Sequence, residues 1–224
     1  MATSEHYQSD DREWTENRKF EPYSRYGDNI ELDLIQVPNC DKEDWVYVAC
    51  EDSHPCRFCN CIAPHIDSIF IAVDGACRGN GTPDARAAIG VFVAESSPFN
   101  RSLLLHETPV TNQIVELSAG IIALEQAINI LRTNALGEDP LHTVVIKADS
   151  EYLVKGMTEL VFKWEVNGYR NAKGDPVKNS ALFKKLNGLI DVWNTSNVEV
   201  LFWHVPREMN KEADKLANLA FRYL

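Results

Sequence analysis

A chain of 224 residues with 45% hydrophobic and 25% charged content has the composition of a folded domain of ordinary size plus an appendage, with enough apolar material to bury a core. No run approaches the roughly 18 consecutive apolar residues of a membrane span, and "MATSEHYQSDDREWTENRKF" has neither the apolar centre of a signal peptide nor the basic, acid-poor character of a transit peptide; an intracellular protein, cytoplasmic or nuclear and without a membrane partner, is expected. The formal charge of −11 opposes a nucleic-acid partner at first sight, yet residues 1–66 carry −8 and residues 67–224 only −3, so the acid excess belongs to the leader.

In chain order, residues 1–66 read as an acidic, partly disordered N-terminal extension, or an arm laid on the domain. It carries a cysteine cluster: Cys40, Cys50, Cys56, Cys59 and Cys61, with His54 and His65 between them. Regular patterning begins near residue 67. "SIFIAVDGA" (68–76), "AAIGVFVAE" (87–95) and "RSLLLHE" (101–107) read as strands joined by turn-rich loops. The period then changes. Val115, Leu117, Ile121, Leu124, Ile128 and Leu131 recur at helical spacing over 112–133. "HTVVIKADS" (142–150) is a β-branched strand, followed by a helix over 150–164, an irregular basic section, a helix over 180–194, a strand over 197–205 and a final helix over 210–221. The order β-β-β-α-β-α-α-β-α predicts an α/β domain over 67–224, with a mixed five-stranded sheet flanked by helices.

Asp74 and Asp149 each end a buried-looking strand, on the rim where open α/β sheets place their ligands. Glu116 falls in the first turns of the long helix and Asp214 in those of the last helix. One aspartate at a strand end is ordinarily a cap or turn former. Four acids on one rim repel each other unless a cation neutralises them, and an all-oxygen donor set suits Mg²⁺ or Mn²⁺. Two such ions about 4 Å apart would clamp an in-line phosphoryl displacement.

The same residues carry a resemblance. Residues 68–224, about 70% of the chain, resemble the cellular ribonuclease H family through "DGACRGNG" (Asp74, Cys77, Asn80), "TNQIVEL" (Thr111, Asn112, Glu116), "ADSEYLVKG" (Asp149, Ser150), "PVKN" (Asn179) and "VPREMNKEADKLAN" (Asn210, Asp214), in colinear order. The resemblance implies a ribonuclease H-like fold and an endonuclease that hydrolyses the RNA strand of RNA–DNA hybrids by a two-metal-ion mechanism. Its products would carry 5′-phosphate ends, its metal ligands would be Asp74, Glu116, Asp149 and Asp214, and it would need no small-molecule cofactor. It also implies recognition of the RNA 2′-hydroxyl near Cys77, Asn80, Asn112, Gln113 and Glu116. Thr111 and Asn179 would hold a phosphate of the DNA strand, and His204 would help to move protons, with Arg207 or Glu208 as alternatives. The chain departs from the family pattern at Ile114, where the family often has Arg, at Leu160, where it often has a stacking tryptophan, and at "WEVNGYR", in place of a lysine-rich protrusion. Trp164 and Tyr169 are the remaining aromatic candidates for stacking, with a core role for Trp164 as the alternative.

Basic residues gather between 147 and 185: Lys147, Lys155, Lys163, Arg170, Lys173, Lys178, Lys184 and Lys185. One face could track a phosphate backbone, or these are solvated helix faces. For the cysteines, Cys50, Cys56 and Cys59 with a fourth ligand would suit a structural Zn²⁺, and reduced thiols are the alternative. Two other functions fit the pattern: a ribonuclease H-fold nucleic-acid-binding protein with weak or lost catalysis, and an interaction protein whose N-terminal extension recruits an unidentified protein partner.

Overall fold

The computed structural model describes residues 17–39, 43–58, 60–82, 84–106, 110–137 and 140–223. The expected strands form the centre of the fold: β3 (Pro64–Arg78), β4 (Arg86–Phe92), β5 (Arg101–Leu105), β6 (Thr143–Ala148) and β7 (Glu199–His204). β3, β4 and β5 make an antiparallel meander, as their short connections demand, while β6 pairs parallel with β3 and β7 parallel with β6. Two short strands from the N-terminal segment, β1 (Gln36–Pro38) and β2 (Val46–Ala49), bring the sheet to seven. Tyr47 of β2 and Val144 of β6 both pair with Ile69, so β2 lies along the β4 edge of the long strand β3.

Alternation along the strands divides the core. Ile69, Ile71 and Val73 of β3, with Ile89, Val91, Val144, Ile146 and Phe202, face α2 (Asn112–Arg132) and α5 (Ser180–Thr195). The intervening residues Phe70, Val145, Leu201 and Trp203 face the other way, where Phe20, Ile35 and Val48 of the N-terminal segment cover them. Phe20 sits edge-on to Phe70, with ring centroids 5.6 Å apart. Residues 18–20 run parallel to the outer edge of β7, with Phe20 N–H donating to Phe202 C=O (2.9 Å) and Phe202 N–H donating to Arg18 C=O (2.8 Å). That contact occupies an edge that would otherwise present unpaired backbone groups. The turn α1 (Pro22–Tyr26) then leads back across the sheet.

α2 is long and apolar enough to cross a membrane by length and composition, with a mean hydropathy of 1.6 over its best window. The expectation of no such stretch rested on uninterrupted apolar runs, whereas averaging over a window tolerates the polar residues of α2; 61% of that window is buried inside the fold, as in a core helix. The helix expected over 150–164 is divided into α3 (Glu151–Lys155), a π-helical turn over Gly156–Leu160, and α4 (Val161–Asn167). The Phe183 ring of α5 presses onto the bare Gly156, at a position a Cβ would occupy.

The last helix, α6 (Lys211–Ala220), packs its small residues Ala213, Ala217 and Ala220 onto the meander. Gly90 of β4 makes this approach possible. A Cβ there would run into the Ala213 carbonyl and lie 2.5 Å from the Ala217 nitrogen.

Candidate active site

Four acids reach one rim from both faces of the sheet. Asp74 on β3 is 6% exposed, lies opposite Gly90 of β4, and shares the face of Phe70 and Ala76, toward α6. Asp149 follows directly on β6, whose last residue, Ala148, pairs with Val73. Asp214 stands in the first turn of α6. Glu116 comes from the opposite layer on α2. A Cβ on Gly75 would lie 2.9 Å from the Glu116 backbone nitrogen, so the missing side chain lets α2 rest against the strand. Thr111 begins that helix, its hydroxyl accepting from Ile114 N–H (3.4 Å). Ser150 does the same for α3 beside Asp149, accepting from Leu153 N–H (3.3 Å).

Asn210 binds the rim together and was absent from the predicted site residues, although it was part of the matching motif. It is 1% exposed, and its Nδ2 donates both to the Val73 carbonyl (2.8 Å) and to Asp149 Oδ1 (2.9 Å). One side chain thus ties β3, at the point where its pairing with β6 stops, and the Asp149 carboxylate to the start of α6; Asp74 does not end its strand as expected, because β3 runs on to Arg78 in its pairing with β4. The available signal was its place four residues before Asp214.

The electrostatics are those of crowded, partly dry carboxylates. Burial, then the charges of Asp149 and Asp214, push Asp74 up to about 6, against the opposing pull of Arg207 and the Gly75 amide. Burial, then Asp74 and Asp149, push Glu116 up to about 9. Glu116 Oε2 and Gln113 Oε1 are buried without hydrogen-bond partners, although buried polar atoms are ordinarily paired. Among the described residues, no three rim carboxylates bring oxygens within 4.8 Å of one another. Mutual repulsion opposes closer approach without a cation. Arg207 donates to Asp214 Oδ1 at 2.5 Å and its field also reaches Asp74 and Asp149. An oxygen-only donor set with an orphaned carboxylate oxygen fits a hard divalent cation.

The other predicted residues divide. Asn80 Oδ1 accepts from Asn112 N–H (3.2 Å), joining the loop after β3 to the start of α2. Cys77 is half-buried and packs against the main core, its thiol pKa raised by burial. Asn179 holds a left-handed backbone (φ 60°) before α5, and its Nδ2 donates to the Tyr152 hydroxyl (3.3 Å). His204 is the exposed last residue of β7 and lies within electrostatic reach of Glu151; the cation that acts on the acids is Arg207. Trp164 packs on Phe183 and Tyr169, and Tyr169 is itself 8% exposed, so both aromatic candidates serve the core. Lys147 is buried under the N-terminal segment, donating to Gln36 Oε1 (2.6 Å), and cannot track a phosphate backbone. Of the expected zinc ligands, Cys59 lies outside the described residues, and Cys50 groups with Glu51 and His65 rather than with Cys56. The tight turn that joins Cys56 N–H to Cys61 C=O (2.9 Å) belongs to a separate part of that loop.

A depression of about 530 Å³ opens at Asp214 and is lined by Arg78, Lys215, Phe221 and Arg222. The Arg78 guanidinium lies 4.1 Å from the Phe221 ring centroid. Arg78, Lys215 and Arg222 thus line the same depression as Asp214.

The family model described as RNase H matches residues 67–222. The chain belongs to the RNase H family. It is 31% identical over 155 residues to Ribonuclease H1 of Mus musculus, covering 67% of this chain and 49% of that protein. With Ribonuclease H of Enterobacter sp. (strain 638) it shares 34% identity over 152 residues, 68% of this chain and 88% of the other. The chain therefore spans about half the length of the mouse relative it matches. Among solved structures, a foamy viral protease-reverse transcriptase in complex with RNA/DNA hybrid aligns with a TM-score of 0.53 at 21% identity, over 71% of this chain and 21% of the viral one. That likeness concerns the fold. The RNase H sheet of this chain is the set β3 to β7, and β1 and β2 precede the family match.

Proposed function

We propose that the RNase H domain of this chain, residues 67–224, is an endonuclease that hydrolyses the RNA strand of RNA–DNA hybrids at the Asp74–Glu116–Asp149–Asp214 rim. The observation that carries this reading is the burial of mutually repelling carboxylates, with Glu116 Oε2 left unpartnered. Folding gains nothing from that arrangement, whereas a divalent cation offsets its free-energy cost. The family relatives bear the name ribonuclease H, and the viral protein that shares the fold was solved with an RNA/DNA hybrid.

Mg²⁺ or Mn²⁺, held by the four acids, would activate water for in-line attack on phosphorus and stabilise the leaving 3′-oxygen. Water adds to phosphorus, the P–O3′ bond breaks, and the products carry 5′-phosphate and 3′-hydroxyl ends. Asp74 and Glu116 must give up their protons to serve as ligands. Asn210 holds Asp149 in register with Val73 of β3. Arg207 balances the excess negative charge through Asp214 Oδ1, which leaves Oδ2 of that carboxylate to serve as a ligand. Asn80, Asn112 and Gln113, gathered where the β3 loop meets α2, are placed to read the RNA 2′-hydroxyl. Arg78, Lys215 and Arg222 offer phosphate contacts beside Asp214.

A second reading, a hybrid-binding protein with weak turnover, draws on the Arg207–Asp214 pair, which already neutralises one candidate ligand. One experiment separates the two. The purified chain is incubated with labelled RNA–DNA hybrid, duplex RNA or duplex DNA in Mg²⁺, Mn²⁺ or EDTA, beside Asp149→Asn. The enzyme reading requires metal-dependent cutting of the hybrid RNA that the variant loses. Hybrid that is bound but uncut selects the second reading, and equal cutting by wild type and variant refutes an activity at this rim.

A further inference from the structure

The hairpin from β2 to β3 carries donor atoms that the rim does not use. Across this antiparallel pair Val48 faces His65 and Ala49 faces Pro64, and Cys50 N–H donates to Ala63 C=O (2.7 Å). Cys50 and His65 are therefore diagonal neighbours on one side of the hairpin, a separation within side-chain reach. Glu51 turns back over them, with His65 Nε2 2.8 Å from Glu51 Oε2. The Cys50 Sγ, a Glu51 carboxylate oxygen and a ring nitrogen of His65 all lie within 4.8 Å of one another. Cys50 and His65 are half-buried and Glu51 is exposed, so the group is held by the hairpin and still open to solvent.

We propose that Cys50, Glu51 and His65 bind a Zn²⁺ ion at a site separate from the carboxylate rim. Sulfur, imidazole nitrogen and carboxylate oxygen together are a zinc donor set, whereas Mg²⁺ takes oxygen alone. Bonds of about 2.0–2.3 Å place tetrahedral donors about 3.4–3.7 Å apart. The Glu51–His65 pair, now 2.8 Å apart, would open by about 1 Å, and Cys50 Sγ, within 4.8 Å of both, would close by about 1 Å at most, both within the range of side-chain rotation. The Cys50 thiol releases its proton to solvent on binding, and water completes the tetrahedron. The ion fastens both ends of the 50–65 loop, and a cross-link there removes loop-closure entropy from the unfolded chain. His65 stands nine residues before Asp74 on β3, on the order of 30 Å at about 3.3 Å per residue. Hybrid cleavage should not depend on the ion, and the proposal stands or falls apart from the function proposed for the rim.

The test titrates the full-length chain with Co²⁺ alone, a spectroscopic stand-in for Zn²⁺, and follows the near-ultraviolet thiolate-to-cobalt charge-transfer band. The rim has no sulfur and cannot produce it. One equivalent of band, displaced by Zn²⁺, is expected. Cys50→Ser should abolish it, His65→Ala and Glu51→Gln should weaken Co²⁺ binding tenfold or more, and Cys56→Ser should leave it intact, with unchanged circular dichroism throughout. Absence of a sulfur band in wild type, or a band that survives Cys50→Ser and disappears in Cys56→Ser, overturns the proposal.

Discussion

Asp74→Asn isolates the electrostatic penalty at the rim. Asp74 is 6% exposed, and its pKa is raised from 3.8 to about 6, first by burial and then by Asp149 and Asp214. For a carboxyl raised in the native state, the folded protein holds more protons than the unfolded chain between those two values. Stability is therefore lost as pH climbs from about 4 to about 6, and the loss persists at higher pH. At 1.36 kcal/mol per pH unit the full effect at pH 8 is about 3 kcal/mol; water entering the rim reduces it, so about 1–3 kcal/mol is expected. Asparagine keeps the shape and removes the charge. In EDTA at pH 8 the variant should melt about 2–10 °C above wild type, and at pH 4 the gap should shrink to about 1–2 °C. Added Mg²⁺ should raise the melting temperature of wild type and not that of the variant. Thermal unfolding followed by circular dichroism reads all three conditions. An Asp74→Asn protein no more stable than wild type in EDTA at pH 8 would refute the claim that this carboxylate is strained by its surroundings.

Glu116, pushed up to about 9, must lose a proton to bind metal, so Mg²⁺ affinity should rise from pH 6.5 to 8.5; calorimetry in buffers of different ionisation enthalpy should register the released proton, and a pH-independent affinity would contradict this. Asn210→Ala leaves the Val73 carbonyl and Asp149 without a buried donor; it should lower stability by about 1–3 kcal/mol and hybrid cleavage by tenfold or more, read by thermal melts and single-turnover kinetics. Gly90→Ala forces a methyl group into the α6 backbone and should destabilise by about 2–4 kcal/mol, whereas Gly188→Ala, which meets open space on α5, should be neutral or stabilise by up to about 1 kcal/mol. Arg78→Ala and Lys215→Ala, at the depression beside Asp214, should each weaken hybrid binding and reduce the slope of log affinity against log salt by about 1, measured with the cleavage-deficient Asp149→Asn background.

The central strands and helices were legible because their periods are strong: β-branched runs leading into Asp74 and Asp149, then a helical stripe beginning at Val115, although β3 continues past Asp74 to Arg78. The N-terminal segment was legible only as disordered or as an arm laid on the domain, without its strands or anchors. β1 and β2 are three and four residues long, too short to show alternation, and Phe20 and Ile35 are single apolar anchors in polar surroundings. That omission explains a second one. Lys147 faces the same way as Val145 and Asp149, toward a layer supplied by Gln36 and its neighbours; with that layer unrecognised, the lysine reads as surface charge. Trp164 stays open between stacking and core, and Tyr169 reads as a stacking candidate, because the contact of Trp164 with Phe183, far along the chain, decides the matter and brings Tyr169 in beside it. The π-helical turn after α3 has the same cause, a tertiary contact of Phe183 with Gly156 that no local pattern encodes.

The rim is built by two close approaches, one on each face of the sheet. Gly75 admits α2 and with it Glu116; Gly90 admits α6 and with it Asp214. Asp74 and Asp149 stand on neighbouring strands between them. The distance between the outer pair of acids is therefore set by helix-to-sheet spacing on both faces, and neither helix can move outward by the width of a methyl group without widening the ligand set. Asn210 fixes α6 further, since the residue that starts α6 also holds Asp149 and Val73 of β3. Once Asp74 and Glu116 have lost their protons, repulsion among the acids pushes in the outward direction, against the packing of Ala213 on Gly90 and of Val115 on Gly75. A bound cation would reverse that force, so metal occupancy should protect backbone amides at the start of α2 and α6 from hydrogen exchange more than those at their ends. Equal protection along both helices would mean that the carboxylates hold the ion without straining the layers that carry them.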